Sequence, residues 1–199
     1  MRIVCLSDLH GHLPQEVPEG DLILLAGDIC PDNEQWTFLH GEFYRWTAKQ
    51  KAPIVAVWGN HDFIGQRLKD ANEENVTFLN DEVLDVGNLR IYGTPYSNWT
   101  APWCADWAFM RKDAQMPSVP PVDVIISHGP PYDCGDLCLG GDKPGSKKLR
   151  EEIERIRPQL VVCGHIHENH GRHGIKGTAV INASYVNRQY VPGNEILTF

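Results

Sequence analysis

No stretch of this chain approaches the roughly 18 consecutive apolar residues that a bilayer-spanning helix needs, which excludes an integral helical membrane protein. Positive charge is scarce as well. The 18 Lys and Arg residues stand against 26 Asp and Glu, for a net charge of −8. A nonspecific grip on nucleic acid needs cations arrayed along phosphates, so that class is disfavoured. Cysteines number six: Cys5, Cys30, Cys104, Cys134, Cys138 and Cys163. Cys5 and Cys163 fall inside apolar runs, where a free thiol behaves as a small hydrophobe. The apolar stretch behind Arg2 is short and is broken by Asp8 and His10, so it is expected to be a strand rather than a signal peptide. Reduced thiols and a cytoplasmic location follow as expectations. Cys134 and Cys138 could pair or bind zinc, but a single such spacing is a weak signal, and ordinary loop thiols are expected. Repeats, low-complexity tracts and linkers are also missing. The 199 residues, 42% hydrophobic and 22% charged, are those of one soluble domain spanning 1–199.

What is present is a series of short, continuous apolar runs. Residues 3–6, 21–26, 53–57, 122–126 and 160–163 read as strands buried on both faces, as in parallel or mixed sheets covered by helices. The loop between the first two is too short for a full crossover helix. Trp36, Leu39, Phe43 and Trp46 are spaced as one face of an amphipathic helix within 33–50, and His40 on it is expected to be structural. A second helix is expected over 63–72. Short strands follow at 76–79, 83–86 and 89–92, the last pair joined by a Gly87-Asn88 hairpin turn. Segment 93–121, with Trp99, Trp103, Trp107 and five prolines, reads as a long loop with one helical segment. Its indoles are expected to pack on the core, with an aromatic wall beside a substrate base as the alternative. Residues 132–145 form a Gly-rich loop. Ser146 caps a helix over 146–156 with Leu149, Ile153 and Ile156 as its stripe, stopped by Pro158. Ile175, 178–181 and 195–199 look like short antiparallel strands.

Each buried run ends in side chains suited to holding a metal. Trp58-Gly59-Asn60-His61-Asp62 follows the third run directly. Gly59 allows a sharp turn and close approach of the backbone, and the next three residues offer a carbonyl oxygen, an imidazole and a carboxylate. Asp8 and His10 follow the first run, Asp28 the second, His128 the fourth, and His165 and His167 the fifth. In an open α/β sheet, ligands bind at the carboxyl ends of the strands. Carboxylates and imidazoles suit divalent transition metals, and a carboxylate such as Asp28 can bridge two of them. A Gly-Asp strand end or a lone histidine is usually structural. Five such ends in one chain point to a dinuclear metal site for phosphate-ester hydrolysis.

Asp8-x-His10, Gly27-Asp28, Gly59-Asn60-His61-Asp62, His128-Gly129 and Gly164-His165-x-His167 together resemble the ordered motif set of the calcineurin-like metallophosphoesterases, over roughly residues 1–185. His128 to Pro131, Gly164 to Glu168 and Asn182-Ala183-Ser184 look most like the small single-domain members, whose relatives include cyclic-nucleotide phosphodiesterases. The resemblance implies an α/β fold: a four-layer α/β/β/α sandwich of two mixed sheets flanked by helices. It implies one metal held by Asp8, His10, Asp28 and His167, and a second held by Asp28, Asn60, His128 and His165. His61 would protonate the leaving group, with Asp62 hydrogen-bonded behind it. Asp32 matches a recurring acidic position of unassigned role, a loop cap being an equal reading. Asn182 is expected to serve a structural turn, with contact to the site as the alternative.

The implied reaction is attack on phosphorus by a hydroxide shared between two divalent cations, with manganese the first choice and iron, zinc or nickel also suited. A phosphodiesterase acting on a small phosphate ester, with cyclic nucleotides as candidates, is the leading expectation. A phosphomonoesterase or protein phosphatase keeps the same chemistry. A noncatalytic protein-binding scaffold is the alternative of a different class. Asn60, His61 and His173 are the candidate substrate contacts. Oligomeric state is not legible from the sequence.

Overall fold

The structure, a computed structural model, describes residues 1–68, 70–98 and 106–199. The apolar runs form β1 (Ile3–Leu6), β2 (Leu22–Ala26), β3 (Ile54–Val57), β9 (Val124–Ser127) and β10 (Leu160–Cys163). Joined by β4 (Val76–Phe78) and β13 (Leu197–Thr198), the first three make one sheet in the order β13-β1-β2-β3-β4, in which β1 to β4 run parallel. The second sheet adds β5 (Glu82–Val86), β6 (Leu89–Thr94), β11 (Gly171–Ile175) and β12 (Thr178–Asn182), in the order β11-β12-β10-β9-β6-β5. Its central strands β6, β9, β10 and β12 are parallel, with antiparallel hairpins at both edges.

Alternation along each strand divides the core into three layers. Ile3, Cys5, Leu22, Leu24, Val55 and Val57 face Ile91, Val124, Ile126, Leu160, Val162 and Ile181 across the gap between the sheets. The intervening residues Val4, Leu6, Ile23, Leu25 and Ile54 point the other way, onto Leu39, Phe43 and Trp46. On the far side, Tyr92, Ile125, Val161 and Val180 pack against Leu149 and Ile153 of α3 (Lys147–Ile156). The result is the expected α/β/β/α sandwich. Among the described residues, no helix is long and apolar enough to cross a membrane.

Three local readings need correction. The first helix runs from α1 (Gln35–Phe38) through a π-helical turn, Leu39–Phe43, into α2 (Tyr44–Thr47). The wider turn rotates the face ahead of it, so Phe38 is buried and Trp36 is 57% exposed, stacked on His40 at 4.0 Å. The helix expected over 63–72 is only a 3-10 turn, Phe63–Gln66. There Gly65 lies so close to the Trp58 indole that a Cβ would strike it, and the side chain of Asn72 accepts from the Phe78 amide at 2.7 Å. Segment 93–121 holds two short paired strands, β7 (Ser97–Asn98) and β8 (Met110–Arg111), and a 3-10 turn Asp113–Gln115. Trp99 and Trp103 lie outside the described residues. The hairpin at Gly87-Asn88 is as expected, with Gly87 at φ +61°.

Helix α3 begins where the sequence places it. Ser146 Oγ accepts from the Leu149 amide at 2.9 Å, capping the first turn, and Asp113 Oδ1 accepts from Ser146 Oγ at 2.5 Å. Ser146→Ala is therefore expected to lower unfolding free energy by about 1 kcal/mol, measured by urea denaturation. An unchanged midpoint would show the cap to be energetically idle.

Candidate metal centre

Because the central strands are parallel and in register, their carboxyl ends open together on one edge of the sandwich. There the backbone leaves ordinary conformations. Asp8 (φ +52°), His10 (φ +44°), Asp28 (φ +50°) and His165 (φ +67°) are all left-handed. Each such non-glycine residue costs about 1–3 kcal/mol, and such strain collects at functional sites. Cross-loop hydrogen bonds hold it: Asp8 N donates to Gly27 O at 2.8 Å, His10 N to Asp28 O at 2.9 Å, and His61 N to Asp28 Oδ1 at 2.8 Å. The His165 amide donates to the Asp8 carboxylate at 3.0 Å. Gly59 and Gly164 allow this crowding, since a Cβ at either would overlap the carboxylate of Asp28 or Asp8.

All seven residues predicted as metal ligands converge. One donor atom each from Asp8, His10 and His167 lie within 4.8 Å of one another, as do those of Asp28, His128 and His165. Asp28 Oδ2 stands 3.3 Å from His128 Nε2 and 3.6 Å from His10 Nε2, between the two groups. Asn60 Oδ1 reaches His128 Nε2 at 2.8 Å. Asp8 and Asp28 are fully buried. Burial by itself would raise their carboxyl pKa values. Neighbouring imidazoles, His167 for Asp8 and His128 for Asp28, outweigh it and hold both below the usual carboxylate range. For His128 burial favours the neutral ring, yet Asp28 and Asp8 draw its pKa up to about 9, whereas burial and the charge of His128 push His165 down to about 4.

Ring orientation is set from behind. His128 Nδ1 lies 2.8 Å from Ala26 O, and His167 Nδ1 lies 3.2 Å from Asn187 O. A carbonyl only accepts, so each Nδ1 carries the proton and Nε2 is turned inward, an arrangement common behind metal-bound histidines. At His128 this brings Nε2, Asn60 Oδ1 and Asp28 Oδ2 together as three electron-pair donors, which only a proton or a cation reconciles. The Nε2 of His10 and the Nδ2 of Asn60 are buried with no hydrogen-bond partner among the described residues. The nitrogen and oxygen donors thus fit divalent transition metals.

Two other predicted residues take different places. Asp62 does not support the His61 ring. Its carboxylate is fully buried and accepts from the backbone amides of Ile29 (3.1 Å), Cys30 (2.8 Å) and Gly59 (2.8 Å), clamping two of the site loops together. Burial and nearby Asp28 push its pKa up to about 6, against the pull of those amides. Asp32 faces the ring instead, its Oδ1 3.3 Å from His61 Nδ1. His173 Nε2 lies 3.1 Å from Asn169 O, and His173 is not among the residues lining the cavity beside the site. His170 and Arg172 likewise bond to the carbonyls of Glu195 and Thr198. Cys134 and Cys138 are free thiols.

That cavity, about 630 Å³, is lined by Asp28, Asn60, His61 and His165 on the site side, and by Trp107, Lys143 and Tyr190 among others. The Trp107 ring is 5.1 Å from that of His61, so for this indole the aromatic-wall alternative describes its surroundings better than core packing. Sequence reasoning gave no role to Ser184, whose hydroxyl donates to Asp8 Oδ2 at 2.9 Å, although it belongs to the Asn182-Ala183-Ser184 resemblance. Asn182 is structural, but it ends strand β12 rather than serving a turn. It donates to Gly135 O and Ile166 O, both at 2.9 Å, and so anchors the loop bearing His165 and His167. Nothing in the sequence pattern marked Asn187 or Tyr190.

A family model for calcineurin-like phosphoesterases matches residues 1–169. The human protein named metallophosphoesterase domain-containing protein 1 is 30% identical over 97% of this chain and 68% of its own length. The Caenorhabditis elegans protein named UPF0046 protein K07C11.7 is 29% identical over 100% of this chain and 73% of its own. The crystal structure of TT1561 from Thermus thermophilus superposes with a TM-score of 0.64 over 91% of this chain and 88% of that one, at 16% identity, which bears on the fold alone. On the match to the family model and the likeness to the human relative, this chain belongs to the calcineurin-like phosphoesterase family.

Proposed function

We propose that this chain is a metal-dependent phosphoesterase that hydrolyses phosphate diesters. Asp8, His10, Asp28 and His167 would hold one divalent cation, and Asp28, Asn60, His128 and His165 a second, with manganese the first candidate among metals suited to such donors. The observation carrying this reading is the position of Asp28, whose carboxylate lies between the two donor groups. When bound, paired cations supply Lewis acidity, bringing a water's pKa towards neutrality and offsetting charge on the phosphoryl oxygens.

The chain's own residues do the rest. The amide of His61 donates to Asp28 Oδ1, which ties its backbone to the candidate metal centre. Asp32 accepts from Nδ1 and sets the ring's orientation, which makes Nε2 the atom that delivers a proton to the departing oxygen. Asp62 acts one layer further out, as the clamp on the loops. Diester preference is supported by the cavity's charge. Among the described lining residues Lys143 is the one Lys or Arg, and it is paired with Asp133. A dianionic monoester needs more compensating charge than a monoanionic diester. Trp107 lines the same cavity, its ring 5.1 Å from that of His61, and a cyclic nucleotide is the first natural diester to try.

Three outcomes are expected. His61→Ala should retain metal and lose about 10²–10⁴-fold in kcat on diesters with alkoxide leaving groups, but far less on p-nitrophenyl esters; equal losses on both would remove the proton-donor role. Asp28→Asn should hold fewer than two metals per chain by atomic emission after reconstitution, and full occupancy would defeat the bridging assignment. Asp32→Asn and Asp62→Asn should separate. The first is expected to alter leaving-group dependence at unchanged Tm. The second should lower unfolding free energy by about 1–3 kcal/mol, since an amide cannot accept all three backbone bonds. The opposite pattern would restore Asp62 as the partner of His61. A metal-loaded chain inactive on every ester tested would favour a noncatalytic scaffold.

A further inference from the structure

The segment from Val186 to Pro192 is a tight hairpin, closed by a bridge between those two residues. Asn187 organises it: its amide donates to Val191 O at 2.9 Å, its carbonyl accepts from Tyr190 N at 2.9 Å, and its Oδ1 accepts from Gln189 N at 2.9 Å. The same carbonyl faces His167 Nδ1, so the hairpin is anchored to the candidate metal centre. At the tip, Tyr190 adopts φ +59°, a conformation that a bulky L-residue takes only where its surroundings over-determine it.

The ring explains the placement. It lies edge-on to His10 (4.7 Å, 71°) and His167 (5.0 Å, 70°), and 6.3 Å from His61. Each of these three partners belongs to the site and none to the hydrophobic core. The residue is still 47% exposed, so its other face borders the cavity, with Trp107 across His61 from it. A core aromatic would be enclosed, and a plain turn residue would be glycine or asparagine. Tyr190 is neither.

We propose that Tyr190 is a specificity-determining residue. Its ring roofs the Asp8, His10 and His167 half of the site and limits the bulk of the ester group that can lie against it, an inference that rests on the phosphodiesterase reading. The strained tip holds the ring over the imidazoles, and the Asn187 bonds keep the tip in place. Glycine accepts the same φ, so Tyr190→Gly deletes the ring while leaving the turn its conformation.

The test compares two diesters with one leaving group, methyl p-nitrophenyl phosphate and bis(p-nitrophenyl) phosphate, on the metal-loaded chain. Tyr190→Gly should raise the ratio of kcat/KM for the bulky ester over the small one by about 10-fold, while Tyr190→Phe leaves it within about two-fold of the parent value. Metal content should be unchanged in both variants. A uniform change on both esters, a fall in the ratio, or loss of metal from Tyr190→Gly overturns the proposal in favour of a structural role. Should the parent chain hydrolyse neither ester, the phosphodiesterase reading fails separately. The roof is then read by calorimetry, as the affinity for phenylphosphonate relative to inorganic phosphate. That ratio must rise in Tyr190→Gly, and an unchanged ratio overturns the roof.

Discussion

Two carboxylates, Asp8 and Asp28, are fully buried at the carboxyl ends of β1 and β2, and their charge governs the architecture around them. A buried anion is costly unless it is paired, hydrogen-bonded or bound to a metal. The imidazoles of His10, His128 and His167, the amides of His61 and His165 and the hydroxyl of Ser184 all turn towards one or other of these two groups. The left-handed backbone at Asp8, His10, Asp28 and His165 is the cost of aiming so many donors at so small a volume.

A sandwich of parallel-centred sheets is well suited to bear that cost. The strands are apolar on both faces, and three separate hydrophobic layers anchor them. The loops at their carboxyl ends can therefore be strained without loosening the frame. The frame also supplies the supports behind the site. Ala26 O orients His128 from a strand end, Asn182 at the end of β12 ties down the loop of His165 and His167, and Asp62 joins the turn after β3 to the turn after β2. The cavity beside the site draws on other elements, the segment bearing Trp107, the loop bearing Lys143 and the hairpin bearing Tyr190. Support comes from strands and their ends, whereas the cavity's lining comes largely from loops, the segments that usually carry function on a rigid frame.

Asp62 and Asp32 show how neighbourhood in sequence misleads. Asp62 is covalently adjacent to His61, but consecutive residues in a turn point in different directions, and its carboxylate is taken by three amides. Asp32, 29 residues away, is the group that faces the ring. The missing second helix has a similar origin. A plausible helical pattern over 63–72 yields to the contact between Gly65 and Trp58, made by residues seven apart. Trp36 and Phe38 exchange burial because a π-helical turn, invisible to a 3.6-residue period, shifts the face.

Read alone, the sequence determined the buried strands β1, β2, β3, β9 and β10, because short continuous apolar runs bounded by turn residues suit a sheet covered on both sides; β7 and β8 carry no such run. It also determined which residues gather at the strand ends, since parallel strands in register deliver their carboxyl ends to one edge. Tertiary structure decided the rest: which carboxylate lies between the two donor groups, which acid faces His61, that Ser184 reaches Asp8, and that Tyr190 lies over the imidazoles. Those are contacts between loops, where no periodicity in the chain encodes direction and where a few degrees of backbone rotation change a side chain's partner.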